Sequence, residues 1–150
     1  MNISIISPGK FKKKPPLEEL FNYYKKRINL KIDLKEIKTF NFEEKKKLLF
    51  EKNQITKHLK PTDYVVVLDK DGKMLSSEDF SVFLKKKMLE RTKRICFLIG
   101  SELGLDLSLK KSCHIISLGR KTWPHLMVRI MLIEQIYRSL EIIKNSSYHK

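Results

Sequence analysis

The sequence predicts an α/β layer sandwich with a mostly parallel sheet, and three features carry that prediction. Short β-branched apolar runs recur along the chain, of which Tyr64-Val65-Val66-Val67-Leu68 is the plainest. Longer segments lie between them, with apolar residues returning at helical spacing. The later runs are apolar at consecutive positions, as strands covered on both faces are, and strands that alternate with helices pair in parallel.

The elements follow in order. Ile3 to Ser7 reads as a first strand, closed by Pro8-Gly9. Pro15 and Pro16 suit a helix start, and Leu17, Leu20, Phe21, Tyr24 and Ile28 then share one helical face. Leu30, Ile32 and Leu34 alternate with charged residues, which marks a strand with one wet face. Residues 43–59 are helical by composition, with Leu48, Leu49, Ile55 and Leu59 as the expected buried stripe. The Tyr64–Leu68 strand ends in an Asp69-Lys70-Asp71-Gly72 turn. Ser76 and Asp79 resemble a capping pair for a helix through Phe80, Phe83, Leu84 and Met88. Ile95 to Ile99 is a buried strand running into Gly100-Ser101-Glu102-Leu103-Gly104, and Cys113 to Ser117 is a last short strand. A loop, Leu118 to Pro124, precedes a final helix from about Leu126 to Lys144. That helix is apolar on most of its first three turns, so it should be buried on more than one side, the second side being another subunit.

With 150 residues, 41% of them hydrophobic, and no repeat or linker, the chain reads as one domain over residues 1–150. Its charge is unusual: 32 Lys and Arg against 17 Asp and Glu leave a formal +15. An excess of this size repels itself in the folded state and suits a polyanionic partner, above all nucleic acid. Lys12-Lys13-Lys14, Lys45-Lys46-Lys47 and Lys85-Lys86-Lys87 fit a broad phosphate-facing field better than base readers, and each alone would be a solvated face. No start resembles an export signal, and the apolar Met127–Ile143 stretch is broken by charges, so a cytoplasmic protein without a membrane span is expected. The two cysteines, Cys96 and Cys113, have no metal-type spacing and read as reduced thiols; no metal is expected.

In open α/β sheets, ligands bind beyond the carboxyl ends of strands. Three such ends stand out: Leu68-Asp69, Gly100 through Gly104, and Ser117 through Pro124. The glycines permit close backbone approach, although a tight turn alone would also require them. No Gly-x-Gly-x-x-Gly, phosphate-loop, His-Glu-x-x-His or Gly-x-Ser-x-Gly motif is present, which disfavours nicotinamide, nucleotide, zinc-peptidase and serine-hydrolase chemistry.

Thr122-x-Pro124-His125-x-x-x-Arg129, the preceding Ser117-Leu118-Gly119, the following Ile133-Glu134-Gln135-Ile136-Tyr137-Arg138, and the terminal Tyr148-His149-Lys150 form a more specific pattern. Together with Ile95 to Gly100 and the opening Pro8-Gly9-Lys10, it resembles the SPOUT-class ribosomal RNA large subunit methyltransferase H family, the 23S rRNA pseudouridine N3-methyltransferases. The resemblance runs through the whole chain. It implies a C-terminal trefoil knot, a homodimer, and S-adenosylmethionine held by Leu68, Gly100, Ser101, Gly119, Arg120, Lys121, Thr122, Trp123 and Pro124. It further implies that His149 and Tyr148 meet the target nucleoside, His149 as candidate base, with His125 and Arg129 as further catalytic candidates. His125 is equally suited to a structural role at the helix start, and Arg129 to neutralising phosphate or pinning the knot. The substrate would be rRNA on the assembled ribosome. Three departures bear on this: Ser101 stands where the family usually has a second glycine, Arg120-Lys121 is unusually charged, and Trp123 replaces a smaller residue. They leave a non-catalytic RNA- or ribosome-binding module on the same fold as the alternative.

Overall fold

A computed structural model describes residues 1–11, 15–111 and 113–149. The elements are β1 (Asn2–Pro8), α1 (Pro15–Arg27), β2 (Lys31–Ile37), α2 (Glu44–Thr56), β3 (Tyr64–Met74), α3 (Ser77–Leu89), β4 (Arg94–Ile99), α4 (Leu107–Lys110), β5 (His114–Ser117) and α5 (His125–Ile143). The strands form one sheet in the order β2-β1-β4-β3-β5, and every pairing is parallel. Parallel neighbours need crossovers that return along a face of the sheet, which is why helices separate the strands. The lysine run at residues 12–14 and the terminal Lys150 lie outside the described residues.

Alternation along the strands splits the core in two. Ile3, Ile5, Val66, Ile95 and Phe97 face a cluster shared with Phe21 of α1, Leu84 of α3, and Leu132, Ile133 and Ile136 of α5. Ile6, Val67, Cys96 and Leu98 face a smaller cluster with Ile55 of α2 and Leu105. The consecutive apolar runs are thus explained by helices on both faces. Cys96 is fully buried, and that burial raises its thiol pKa to about 12, so it stays protonated.

The structure departs from expectation at two places. The anticipated Asp69–Gly72 turn does not end β3. The strand continues to Met74 through an irregularity between Leu68 and Lys73, both of which pair with Ile116. Gly72 allows this close approach, because a Cβ there would lie 2.6 Å from the Ile116 backbone. In α2, Ile55 is buried and, just past its end, Leu59 packs on the core as expected, but Leu49 is 53% exposed, and Glu51, which accepts a 2.7 Å hydrogen bond from Thr39, is buried. Helix α5 packs against both α1 and α3. The Ser76 capping box is formed, with the Asp79 amide donating to Ser76 Oγ at 3.0 Å.

Candidate functional site

The carboxyl ends of β3, β4 and β5 open together into a cleft of about 660 Å³. Leu68, Gly100, Ser101, Gly119, Lys121, Thr122, Trp123 and Pro124 all line it. Arg120 does not; it is exposed on the same loop, a difference from the expected cofactor contacts. The arrangement follows from local backbone chemistry. The Gly104 amide donates to Ser101 O at 2.9 Å, and Gly104 adopts φ +77°. A Cβ on Gly100 would sit 2.4 Å from the Gly104 backbone. Both glycines are therefore required by a tight turn, and that turn shapes the cleft wall. Across the cleft, Gly119 has φ +103° with open space where a Cβ would project, and its amide donates to Ser117 Oγ at 3.2 Å.

The cleft is polar on one side. Asp69 is paired with Lys110 at 2.5 Å and accepts from the Asp71 amide at 3.0 Å. Burial would raise its carboxyl, but these bonds outweigh it and hold Asp69 below the usual carboxylate range. Glu102 is likewise lowered by its hydrogen bond from Lys47. Ser101 Oγ is buried and has no hydrogen-bond partner among the described residues. A buried hydroxyl in this condition is costly unless something else meets it. The Asp69–Lys110 and Lys47–Glu102 pairs were not legible as partners, since each joins residues from separate elements.

His125 opens α5 and lines the cleft. Burial, and then the Arg129 charge, hold its pKa below the ordinary value, so its imidazole is neutral at physiological pH. Arg129, one turn on, is fully buried. It donates to Ser7 Oγ at 2.9 Å, Glu36 Oε1 at 2.9 Å, Gly9 O at 3.0 Å and Pro8 O, and stacks over Phe11. Four of its five N–H donors are taken by the end of β1 and by β2. Arg129 ties α5 to the sheet.

The C-terminal tail lies elsewhere. Tyr148 packs edge-on against Tyr137 at 4.7 Å and donates to Glu134 Oε1 at 3.1 Å. Burial, with hydrogen bonds to Tyr24 and Glu134, raises its phenol pKa. His149 Nε2 lies 2.8 Å from Glu78 Oε1, and Arg138 Nη1 lies 3.4 Å from His149 Nδ1. Neither Tyr148 nor His149 lines the cleft. A second cavity of about 590 Å³ has walls that include Leu20, Tyr24, Met74, Leu75, Met131 and Glu134, and Tyr148 reaches that wall through its bond to Glu134. The two cavities meet at Ser117, Leu118 and Gly119. The structure thus gathers the expected cofactor residues, Arg120 apart, and His125, but keeps the tail on the far side of that loop.

The chain matches the family described as predicted SPOUT methyltransferase over residues 1–149. It is 39% identical to the ribosomal RNA large subunit methyltransferase H of Clostridium botulinum (strain Eklund 17B / Type B), covering all of both chains. It is also 39% identical to the protein of that name from Caldicellulosiruptor bescii, with 99% of each chain covered, and 33% identical to that of Natranaerobius thermophilus over the same shares. A solved structure of a probable methylase family protein from Haemophilus influenzae Rd KW20 shares the fold at a TM-score of 0.55 and 11% identity, covering 99% of this chain and 70% of that one. The helix-flanked parallel sheet, the cleft at its carboxyl edge and the full-length match together make this chain a member of the SPOUT methyltransferase family.

Proposed function

We propose that this chain transfers a methyl group from S-adenosylmethionine to N3 of a pseudouridine in 23S rRNA, acting as a cytoplasmic homodimer on the assembled ribosome. One observation carries the reading: a ligand-sized cleft built from three strand ends, in a chain whose full-length relatives are named as large-subunit rRNA methyltransferases. The formal +15 charge favours an RNA substrate.

The cleft suits the cofactor. Its volume falls in the range of small-molecule sites. Open space at Gly119 lets backbone approach a ligand, and Ser101 Oγ offers a free buried donor. Leu68, Gly100, Ser101, Gly119, Lys121, Thr122, Trp123 and Pro124 would hold it. When bound, S-adenosylmethionine supplies an electrophilic methyl group on a sulfonium cation. Asp69 and Glu102, each paired with a lysine, would make the cleft's polar wall, while His125, kept neutral, adds no charge. Orientation of donor and acceptor then contributes much of the acceleration.

The imide proton of the target base must leave. His149 is the candidate base and Tyr148 the candidate clamp on the nucleoside. Both stand outside their own chain's cleft, so the reading requires the tail of one protomer to complete the cleft of the other. The apolar second cavity, with Met131, Met74 and Leu20 on its walls, is the surface that such a dimer would cover. A trefoil knot threading the chain after β5 would hold the Leu118–Pro124 loop against Gly100. Mass spectrometry of 23S rRNA from a deletion strain should show the loss of one methyl group from a pseudouridine, restored by this gene. Calorimetry should show S-adenosylmethionine binding; its absence at millimolar cofactor would instead favour a non-catalytic RNA-binding module.

A further inference from the structure

The loop between β2 and α2 carries aromatic surface that neither the core nor the cleft uses. Phe40 is 48% and Phe42 is 47% exposed. Together with Phe50 they form a closed set of rings, with centroids 5.2, 5.6 and 5.9 Å apart. The cluster is held in place. Thr39 donates to the buried Glu51 at 2.7 Å, and the Phe42 amide donates to Phe40 O at 3.1 Å. Helix α2, which carries Phe50, is tied to the cleft loop by Lys47–Glu102 and by Lys52–Asp106 at 3.8 Å. Glu102 itself lines the cleft. An aromatic cluster is thus fastened to the rim of the site.

Its surroundings indicate the partner. Lys38, Lys45 and Lys46 are exposed beside it, along with Glu43 and Glu44, of which Glu43 lies 3.8 Å from Lys46. Lysine is depleted from the cores of protein–protein interfaces. Exposed rings among lysines instead match single-stranded nucleic acid, whose bases stack on aromatic faces while its phosphates meet the cations. We infer that Phe40, Phe42 and Phe50, with Lys38, Lys45 and Lys46, form a stacking platform for unpaired RNA bases beside the cleft. The inference rests on the proposed RNA substrate and deepens it: the substrate's target nucleotide would be flanked by unpaired bases.

The test uses fluorescein-labelled single-stranded oligouridylate and an abasic strand of equal length, read by anisotropy. Wild-type protein should prefer the base-bearing strand. Phe40→Ala/Phe42→Ala should weaken that binding roughly tenfold or more and leave abasic binding unchanged. Phe40→Trp/Phe42→Trp should restore it. With purified ribosomes, the alanine variant should raise KM by a similar factor at unchanged cofactor affinity. Equal binding of both strands by the wild-type protein would overturn the platform. So would an equal loss on both strands in the alanine variant, or a change in sedimentation with unchanged RNA affinity, which would mark a contact between copies. If wild-type protein prefers bases yet transfers no methyl group to ribosomes, the enzyme reading fails and the platform stands.

Discussion

Two cavities share the Ser117–Gly119 loop and one wall of α5, yet they are built for different occupants. The cleft is made of turns: Gly100, Gly104 and Gly119 bring backbone to the surface, and Asp69 and Ser101 add fixed polar groups. The second cavity is made of side chains, chiefly Leu20, Met74, Leu75 and Met131, and holds the C-terminal tail at its edge through Glu134. Backbone recognises a small polar ligand with little freedom to shift, whereas flexible apolar side chains adapt to another protein surface. On the proposed reading, the difference makes donor binding and completion of the acceptor site separable tasks, joined by one loop and one helix.

Arg129 should matter to both cavities, because it anchors their common wall. Arg129→Ala leaves Glu36, Ser7 and two backbone carbonyls without their partner. Urea denaturation should show a loss of about 3 kcal/mol, with both sites loosened. Gly100→Ala should break the comparison on the cleft side alone. The new Cβ meets Gly104 backbone, and calorimetry should show cofactor affinity reduced roughly 100-fold while sedimentation is unchanged.

Tyr148→Ala and His149→Ala should act in the opposite sense, lowering kcat roughly 100-fold with cofactor affinity intact. Full turnover in His149→Ala beside an inactive Tyr148→Ala would remove the base assignment. Met131→Glu, in the apolar cavity, should weaken self-association roughly tenfold by sedimentation, since a carboxylate resists burial.

The smallest effect concerns pH. Burial holds the pKa values of His125 and His114 below the ordinary value, with nearby cations adding to the shift. The unfolded chain therefore binds more protons than the native one below about pH 6.5. Stability should be complete above that pH and fall as pH drops through it, until the native histidines themselves protonate. A His125→Gln variant should flatten part of this slope in thermal melts, more so in the presence of cofactor.

Much of the fold was legible because local rules and packing agreed. Consecutive apolar residues marked β3 and β4, and Ser76 with Asp79 marked the start of α3. Within α2 only Leu49 was misread: Ile55 is buried, while Glu51, a carboxylate, is buried with a hydrogen bond from Thr39, twelve residues away in sequence. The Asp69–Gly72 segment reads as a turn in isolation, and only pairing with β5 draws it into β3. The residues singled out on the Gly100 and Leu118–Pro124 loops line the cleft, apart from Arg120. Arg129 was singled out, but its role depended on groups more than 90 residues away.

Hydrophobic periodicity, strand-end glycines and the excess of lysine are properties of local segments, so the chain alone determined its layered parallel architecture, the edge where a ligand could sit and the sign of its field. Which charges pair, which arginine is consumed in the core, and how the tail is parted from the cleft depend on contacts between distant segments. Burial and mutual desolvation decide those contacts, and they exist only once the sheet has assembled.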